Sequence, residues 1–398
     1  MKTGLDRLAI TSSLASRLRG ARVGLLAHPA SVTRAMAHVR DVLDEIGAPP
    51  RIVFGPEHGY GGEAQDMIGV DDARDTRGTP VRSLYGARFE DLSPRTEDLD
   101  DLDVVVIDLQ DVGARYYTFI WTAVLMLRAC AARGIRVLVL DRPNPIGGEA
   151  SAVEGRTPLP RFRSFVGLEP LPVRHGLTLG EVLALRADEE GLPPGLLEVV
   201  RVEGLVRPAH ATDWDRPFVM PSPNMPTYET ALVYPGGCLL EGTNLSEGRG
   251  TTRPFEILGA PWLDGVALAA SLAGLGLPGF VARPLTFRPT FQKHAGAVCG
   301  GIQVHVTDPR TFRPFAAYLV ILAVAQRLGG GSFRFRTEPY EFVDDIPAFD
   351  LLTGDDEARL RILAGDDPRA LAADVARLRP DDAAILGRAI AACDRAAV

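Results

Sequence analysis

The sequence predicts an α/β fold in which a doubly wound parallel sheet is followed by a smaller α+β domain. In the first half of the 398-residue chain, short runs of apolar, β-branched residues alternate with patterns typical of helices. Continuous apolar strands separated by helices are typical of a parallel sheet that is covered on both faces. After about residue 265 the pattern changes to mixed strands and Ala/Arg/Asp-rich helices, which predicts the second domain.

The first half contains predicted strands that each lead into a helix or a polar loop. These strands lie within residues 21–30, 51–59, 101–113 and 136–148. RAMAHVRDVLDEIG and YTFIWTAVLMLRACAARG are the helical patterns that follow the first and third strands. The segment 220–256 is rich in Pro, Gly, Asn, Ser and Thr, so we expect an irregular loop that forms the wall of a site.

The second half begins with a helical pattern, GVALAASLAGLG, and continues with two predicted strands, FVARPLTFRPTF and GGIQVHVTDP. A further helix, RPFAAYLVILAVAQRLG, precedes the C-terminal helices. We place the domain boundary after residue 262. The predicted domains are therefore 1–262 and 263–398.

Composition excludes several classes of protein. A net charge of −8 argues against a nucleic-acid partner. The longest apolar stretches are about a dozen residues, short of the roughly 20 needed to cross a bilayer, so no membrane partner is expected. The N-terminal MKTGLDRLAI has no apolar signal-peptide core, and we expect a cytoplasmic protein. The four scattered cysteines are expected to be buried, reduced thiols.

Motifs for cofactors, metals and nucleophilic serine are missing from the sequence. Neither GxxxxGK[ST] nor a GxGxxG after the first strand occurs, so we expect no nucleotide or redox cofactor. The histidines form no HxH or HExxH pair, so no metal is expected. No GxSxG nucleophile elbow is present either. Nothing in the sequence predicts the oligomeric state.

Polar side chains follow the predicted strands, where ligands bind in open α/β sheets. Glu57 and His58 come directly after the second strand, beside glycines that let a ligand approach the backbone. A carboxyl group in a partly enclosed loop can act as a general acid at neutral pH. The alternative is structural: Glu57 caps the next helix, and His58 bonds to loop carbonyl groups.

The third strand is followed by Asp108, Asp111, Arg115 and Tyr116. One aspartate can cap the following helix, but a cap does not explain both. The Arg115 guanidinium suits a carboxylate or phosphate, and the pair Tyr116 and Tyr117 either stacks on a sugar or fills the core.

The fourth strand and the segment 220–256 supply the remaining polar candidates. These residues are Asp141, Asn144, Asn224, Tyr228, Glu241, Asn244, Glu247 and Arg249. Carboxylates, amides, tyrosines and arginines together are typical of a carbohydrate site, in which a pair of carboxyl groups cleaves the glycosidic bond.

Six motifs, in order along the chain, resemble the family long labelled DUF1343. They are FGPEHGYGGEAQ, PVRSLYG, DVVVIDLQDVGARYYTF, DRPNPIGG, PSPNMPT and EGTNLSEGRGTTRPFE. The characterised members of that family are exo-β-N-acetylmuramidases, called NamZ. The resemblance implies that 1–262 is a Rossmann-like catalytic domain and that the smaller C-terminal domain, 263–398, closes a cleft between the two. It also implies release of terminal N-acetylmuramic acid (MurNAc) from the non-reducing end of peptidoglycan fragments such as MurNAc-GlcNAc, in cell-wall turnover and recycling.

The resemblance also implies roles for residues in the matched motifs. Glu57 is the best catalytic carboxyl, with His58 beside it. The second catalytic carboxylate stays open among Glu247, Glu241 and Asp108, as does the choice between retention and inversion at the anomeric carbon. The residues that the motifs place at or near the cleft are Arg115, Tyr116, Asn144, Asn224, Glu241, Asn244, Glu247 and Arg249.

Muramic acid differs from glucosamine by a lactyl ether that carries a carboxylate. We expect Arg115 or Arg249 to bind that carboxylate, because a buried guanidinium would be left unpaired by the wrong sugar. Members of the family are often exported, whereas this sequence shows no leader. We therefore expect either that small imported muropeptide sugars are the substrates or that the natural chain begins further upstream.

Two other readings of the residues stay open. One is an esterase or amidase that acts on wall fragments, although the missing nucleophile elbow and metal ligands argue against it. The other is a non-catalytic protein that binds muropeptides or sugars. The variant Glu57→Gln separates a binding protein from an enzyme, because a binding protein has no turnover to lose.

Overall fold

The computed structural model describes residues 1–65 and 67–398, and within them the strands form a seven-stranded and a three-stranded sheet. The strands are β1 (Val23–Ala27), β2 (Pro50–Gly55), β3 (Ala73–Arg74), β4 (Pro80–Ser83), β5 (Val104–Asp108), β6 (Arg136–Leu140), β7 (Leu197–Val200), β8 (Ile257–Ala260), β9 (Phe280–Phe287) and β10 (Cys299–Val306).

The α-helices flank both sheets and make up most of the C-terminal region. They are α1 (Gly4–Ile10), α2 (Ser12–Ser16), α3 (Val39–Glu45), α4 (Thr96–Leu99), α5 (Phe119–Ala131), α6 (Leu179–Glu189), α7 (Tyr228–Gly237), α8 (Gly265–Leu275), α9 (Pro314–Gly329), α10 (Ala348–Thr353), α11 (Glu357–Ala364), α12 (Pro368–Val375) and α13 (Pro380–Ala396). Short 3-10 helices include Cys238–Gly242, which follows α7 directly.

The large sheet is doubly wound, as predicted. Its strand order is β3-β4-β2-β1-β5-β6-β7, and every pair is parallel except β3 with β4. The chain builds outward from β1 in one direction and then returns to place β5 on the other side of β1. In open α/β sheets, ligands bind beyond the carboxyl ends of the strands at such a switch point.

The central strands are apolar throughout because both faces of the sheet are covered. In β5, Val105 and Ile107 pack into one apolar cluster, whereas Val104 and Val106 pack into the cluster on the opposite face. Successive side chains of a strand point to opposite faces, so a strand buried on both faces has no polar alternation. This burial explains why the sequence VVVID predicts a strand.

Two predicted elements differ in the structure. The helix predicted after the first strand, which is α3, begins at Val39 rather than near residue 34. Val32 and His38 form a β-bridge that closes a turn before it. The segment predicted as irregular contains α7, which begins after Thr227, whose side chain accepts a hydrogen bond from the Thr230 N–H. A Cβ atom at Gly236 would overlap the carbonyl oxygen of Pro314. Close packing against α9 therefore accounts for a glycine in this helix.

The small sheet is antiparallel, with strand order β8-β10-β9. Because β8 pairs with β10, β8 belongs to the small sheet. The small sheet therefore begins a few residues before the predicted domain boundary after residue 262. The last helix, α13, packs against α6 and β7 of the first sheet. The C-terminal residues thus return to the N-terminal domain instead of staying with the small sheet.

One helical segment in the described part of the chain, Pro314–Ser332, is long and apolar enough to span a membrane by length and composition. Of this segment, 56% is buried inside the fold, where α9 packs against α7, α8, α11 and α12. All four cysteines, Cys130, Cys238, Cys299 and Cys393, are buried and form no disulfide, which confirms the predicted burial.

Glu154 joins the first domain to the start of α9. Its carboxylate accepts a hydrogen bond from the Ala316 N–H (3.2 Å), in the first turn of that helix. Burial raises the pKa of Glu154 to about 7, although Arg174 and Arg313 act in the opposite direction. The folded protein therefore keeps a proton on this group to higher pH than the unfolded chain, in which the pKa is near 4.5.

This difference predicts a pH-dependent contribution of Glu154 to stability. Between about pH 4.5 and 7 the folded state binds more protons than the unfolded state, so the free energy of unfolding falls as pH rises. In the variant Glu154→Gln this contribution is absent, and the variant should gain stability relative to wild type as pH rises from about 5 to about 8. Urea unfolding at both pH values measures the difference, with exposed Glu97→Gln as the control. A pH-independent difference for Glu154→Gln would contradict the assignment.

Candidate active site

A pocket lies beyond the carboxyl ends of β2 and β5 and encloses about 480 Å³, open solvent included. Residues from the first domain form one wall, and residues from α7, the 3-10 helix after it and the C-terminal half form the other. The lining residues are Glu57, His58, Tyr116, Tyr117, Thr118, Val166, Ser222, Asn224, Met225, Tyr234, Glu241, Arg249, Phe255, Tyr340 and Glu341. The pocket therefore brings together residues that are far apart in the sequence.

Glu57 is held by hydrogen bonds from Thr118 and Met67. Its side chain accepts the Thr118 hydroxyl proton on Oε2 (2.6 Å) and the Met67 N–H on Oε1 (3.3 Å), and the residue is 6% exposed. Among the described residues, no lysine, arginine or histidine forms an ion pair with it. The two hydrogen bonds fix the orientation of this carboxyl group, which suits a group that must donate a proton in a defined direction.

His58 sits in the turn directly after Glu57, with a left-handed φ of 72°. Its Nδ1 lies 2.9 Å from the carbonyl oxygen of Ala64, so this nitrogen carries a proton and donates it. The ring packs edge-on against Phe119. His58 therefore bonds to a loop carbonyl group, as the structural alternative predicted, and its side chain also lines the pocket.

A chain of ion pairs forms the opposite wall. Glu241 accepts from the Arg249 guanidinium on Oε1 (2.7 Å) and from the Tyr340 hydroxyl on Oε2 (2.6 Å). Arg249 also lies 3.5 Å from Glu247, and its guanidinium stacks over the ring of Phe255 at 5.1 Å. Glu241 is therefore an ion-paired carboxylate that borders the pocket.

Glu247 lies behind this wall and does not line the pocket. Its Oε2 is 2.8 Å from Lys293 Nζ. Burial acts to raise the pKa of Glu247, but Lys293 and Arg249 outweigh it and hold the pKa below its usual value. This carboxylate stays ionised and fixes Arg249, so the structure does not support it as the second catalytic carboxylate.

Glu341 is a pocket carboxylate that the sequence analysis missed. Tyr340 and Val343 exchange backbone hydrogen bonds, and the two residues between them, Glu341 and Phe342, both have positive φ (46° and 68°). Two positive φ values are the pattern of a type I′ turn, which usually contains Asn and Gly because other side chains are strained there. The turn directs Glu341 into the pocket, where its Oε2 accepts from the Tyr85 hydroxyl (3.1 Å).

Tyr117, the second of the two tyrosines that follow the third predicted strand, also lines the pocket. It lies beside Ser222, and burial raises the pKa of Tyr117 well above its usual value. The hydroxyl therefore stays protonated and can donate a hydrogen bond to a ligand. Its neighbour in sequence, Tyr116, also lines the pocket, but it donates its hydroxyl proton to the carbonyl oxygen of Pro235 (3.0 Å).

Only some of the predicted site residues line the pocket. Those that line the pocket are Glu57, His58, Tyr116, Asn224, Glu241 and Arg249. Those that lie outside it are Asp108, Asp111, Arg115, Asp141, Asn144, Tyr228 and Glu247. Asn244 lines a neighbouring groove instead. Asn224 donates to the Gln65 side chain (2.6 Å), which holds the loop after β2 over the pocket.

Arg115 is used within the fold rather than for substrate. It is 0% exposed, and its guanidinium donates to the carbonyl oxygens of Arg156 (2.7 Å), Leu171 (3.1 Å) and Leu352 (2.5 Å). These bonds tie the first domain to the start of the C-terminal helices. Of the two arginines expected to bind the lactyl carboxylate, the structure brings only Arg249 to the pocket.

The other polar residues outside the pocket also have structural partners. Asp111 accepts the Gly113 N–H (2.7 Å), and Asn144 donates to the carbonyl oxygen of Leu177 (3.0 Å). Asp141 accepts the Gly180 N–H (2.8 Å) in the first turn of α6. Tyr228 shares a 2.6 Å hydrogen bond with a ring nitrogen of His210. Each expected substrate contact is thus replaced by a bond that shapes a loop or a helix end.

Asp108 forms a buried ion pair with Arg142, in which one N–O distance is 2.9 Å. Both residues are nearly inaccessible. We expect Asp108→Asn to lower the free energy of unfolding by about 3–5 kcal/mol, because it leaves the Arg142 charge buried without its partner. Urea unfolding measures this loss. A large drop in kcat with unchanged stability would instead return Asp108 to the chemistry.

Among residues 1–65 and 67–398, no group of three or more His, Cys, Asp or Glu side chains is placed to hold a metal ion. The chemistry available in the pocket is that of carboxyl groups, tyrosine, serine and threonine hydroxyls, one imidazole, one amide and one guanidinium. Two or more carboxyl groups around a pocket of this size fit the hydrolysis of a glycosidic bond.

Comparisons with known proteins identify the family of this chain. Residues 23–229 match the N-terminal domain of exo-beta-N-acetylmuramidase NamZ, and residues 232–378 match its C-terminal domain. The chain is 40% identical over 373 residues to the peptidoglycan beta-N-acetylmuramidase NamZ of Bacillus subtilis, covering 92% of this chain and 85% of that protein.

Two crystal structures of DUF1343 family proteins from Bacteroides fragilis have the same fold. One has a TM-score of 0.81 at 28% identity and covers 95% of this chain and 99% of its own. The other has a TM-score of 0.73 at 25% identity and covers 98% of both chains. The resemblance read from the sequence motifs is thus confirmed, and the chain belongs to the NamZ family of exo-β-N-acetylmuramidases.

Proposed function

We propose that this protein is a glycoside hydrolase that releases terminal MurNAc from the non-reducing end of peptidoglycan fragments such as MurNAc-GlcNAc, in cell-wall turnover and recycling. The observation that carries the proposal is the pocket itself. It combines Glu57, which is fixed by hydrogen bonds from Thr118 and Met67, with the carboxylates of Glu241 and Glu341, in a chain of the exo-β-N-acetylmuramidase family.

Glu57 is the general acid of this mechanism. The Thr118 hydroxyl and the Met67 N–H fix its carboxyl group in place, so its proton can be directed at the glycosidic oxygen as the bond breaks. Proton donation to the leaving sugar avoids formation of an alkoxide. The positive charge that develops at the anomeric carbon is then stabilised by the remaining carboxylates of the pocket.

Glu341 is the second carboxylate that we favour. Glu241 already binds the Arg249 guanidinium and the Tyr340 hydroxyl, which suits a group that positions the sugar. Glu341 lies on a tight turn whose backbone strain is retained, as is common at functional sites. It acts either as nucleophile or as the base that activates water, and the separation of the two carboxyl groups in the substrate complex decides between retention and inversion.

Arg249 is the group that we assign to the lactyl carboxylate of MurNAc. Its guanidinium borders the pocket and is held by Glu241, Glu247 and the ring of Phe255. A guanidinium fixed in this way offers a planar fork to a carboxylate with little loss of side-chain entropy. GlcNAc, which lacks the lactyl group, leaves this interaction unmade.

The direct test is product analysis with the purified protein. Wild type should release free MurNAc from MurNAc-β-1,4-GlcNAc, and from a longer glycan labelled at its reducing end it should remove MurNAc only at the other end. Internal cleavage would contradict the exo mode of action. Binding of the disaccharide without release would favour the sugar-binding protein, and release of an acyl or peptide group instead of MurNAc would favour the esterase or amidase.

We also propose a cytoplasmic location, without any requirement for a membrane. The four free, buried cysteines support it, because proteins of reducing compartments keep their thiols unpaired. Cell fractionation of the full-length gene product tests this point. Recovery in the exported fraction would contradict it while leaving the proposed activity intact.

A further inference from the structure

A second and larger groove lies next to the active-site pocket. It is formed by residues 243–244, 292–294 and 334–338 and encloses about 1320 Å³, open solvent included. We call it the basic groove, because Lys293, Arg334 and Arg336 line it and Glu338 is the one acidic residue among its described lining residues. None of the steps assigned above to the pocket uses it.

Tyr340 separates the basic groove from the pocket. Its hydroxyl reaches Glu241 in the pocket (2.6 Å), while the Arg336 guanidinium of the groove lies 5.3 Å from the centre of its ring. The chain also runs from one to the other, because Glu241 lines the pocket and Thr243 lines the groove. Tyr340 therefore contacts residues of both sites, and a substrate that leaves the pocket on this side would reach the groove.

The walls of the groove are fixed by polar contacts. Asn244 and Arg334 are joined twice: the Asn244 N–H donates to the Arg334 carbonyl oxygen, and the Arg334 N–H donates to Asn244 Oδ1, each at 2.9 Å. Lys293 donates to the carbonyl oxygens of Leu240 (2.8 Å) and Leu245 (2.9 Å). The backbone that carries the cations is therefore ordered before any ligand binds.

Two of the three basic side chains in the groove already lie close to a carboxylate of the protein. Lys293 pairs with Glu247 (2.8 Å), and Arg336 lies 4.0 Å from Glu338. The Arg334 side chain is exposed, and no acidic group of the described residues forms an ion pair with its guanidinium. An anion that enters the groove would therefore meet Arg334 first.

We propose that the basic groove is a second substrate-binding site, which takes a carboxylate from the part of the substrate beyond the cleaved sugar, with Arg334 as its main contact. This proposal rests on the proposed function. A peptidoglycan strand repeats the MurNAc unit, so a substrate longer than a disaccharide carries a further lactyl carboxylate on its second MurNAc. A stem peptide on that sugar would bring carboxylates of its own.

The residues of the groove suit such a ligand. A guanidinium binds a carboxylate through two parallel hydrogen bonds. Phe335 also lines the groove, where its ring offers an apolar face to a sugar, and contacts with the rings of Phe333 and Phe349 hold it in place. Because Arg334 is exposed, its contribution to binding is modest and is screened by salt.

The test compares a tetrasaccharide with the disaccharide. The measured quantity is the ratio of kcat/KM for peptide-free (MurNAc-GlcNAc)₂ to that for MurNAc-GlcNAc, in wild type, in Arg334→Gln and in the control Arg283→Gln. Arg283 is an exposed arginine on β9 that bonds to Gln303, outside the groove. We expect the ratio to fall about 5-fold in Arg334→Gln, through a higher KM for the tetrasaccharide, as an ion pair of about 1 kcal/mol implies. The control should keep the wild-type ratio.

A third substrate, the tetrasaccharide with a stem peptide on its second MurNAc, identifies the source of the carboxylate. A greater effect of Arg334→Gln on the peptide-free substrate assigns the groove to the lactyl carboxylate, and a greater effect on the peptide-bearing substrate assigns it to the stem. An unchanged ratio for both tetrasaccharides overturns the groove proposal alone. Absence of turnover of any of these substrates by wild type overturns the proposed function and the groove proposal with it.

Discussion

The variant Glu57→Gln is expected to release MurNAc from MurNAc-GlcNAc with a kcat about 10²–10⁴-fold below that of wild type, the usual contribution of a general acid. Glutamine keeps the shape of the side chain and can still bond to the Thr118 hydroxyl. It has no proton to give to the glycosidic oxygen. Substrate binding should persist, so the loss should appear in kcat rather than in the dissociation constant, which calorimetry measures.

Glu97→Gln is the matched control, because Glu97 is exposed on α4 and does not line the pocket. It should retain wild-type turnover. A leaving group of low pKa, such as a nitrophenol, needs little protonation, so an aryl MurNAc glycoside should lose much less activity in Glu57→Gln than the disaccharide does. Equal losses on both substrates would contradict the role of Glu57 as general acid.

Replacement of Arg249 is expected to reduce the preference of the enzyme for muramyl over glucosaminyl substrates. A hydrogen bond to a charged group contributes about 1.5–3 kcal/mol, so the ratio of kcat/KM for the two sugars should fall about 10- to 100-fold in Arg249→Gln. Aryl glycosides of MurNAc and GlcNAc measure that ratio without contacts from a second sugar. The ratio should fall because kcat/KM for the MurNAc glycoside decreases, while kcat/KM for the GlcNAc glycoside stays nearly unchanged.

Arg249 also holds Glu241 and Glu247, so its removal affects the fold as well as the substrate. Arg249→Lys separates the two effects, because lysine keeps the positive charge but lacks the planar fork. We expect it to restore stability towards urea more fully than it restores sugar preference. If Arg249→Gln kept the full preference for MurNAc while remaining folded, another group would have to bind the lactyl carboxylate.

The sequence predicted the parts of the fold that depend on local pattern. β5 is apolar at every position but its last because both faces of the sheet are covered, and β1 is apolar for the same reason. The helix α7 was missed, since its Pro235, Gly236 and Gly237 disfavour a helix in isolation. Packing against α9, about eighty residues later in the chain, stabilises it, and no local pattern carries that contact.

The residues of the candidate site were likewise predicted where local sequence pattern places them, and missed where distant contacts decide. Glu57 and His58 were predicted because residues after a parallel strand lie at the carboxyl edge of the sheet. Arg115 and Arg249 could not be distinguished in the sequence, because Arg115 is occupied by carbonyl oxygens as distant as that of Leu352. Glu341 was missed because its turn contains neither glycine nor asparagine, so nothing in the sequence marks it as a turn.

A crystal structure of Glu57→Gln with MurNAc-GlcNAc tests the central claim most directly. The account predicts that the MurNAc ring occupies the pocket, with the glycosidic oxygen within hydrogen-bonding distance of the substituted side chain and the lactyl carboxylate facing Arg249. GlcNAc should extend from the pocket past Tyr340. A disaccharide bound elsewhere, or bound in the pocket with its glycosidic oxygen far from the substituted side chain, would contradict the assignment of this pocket as the catalytic site.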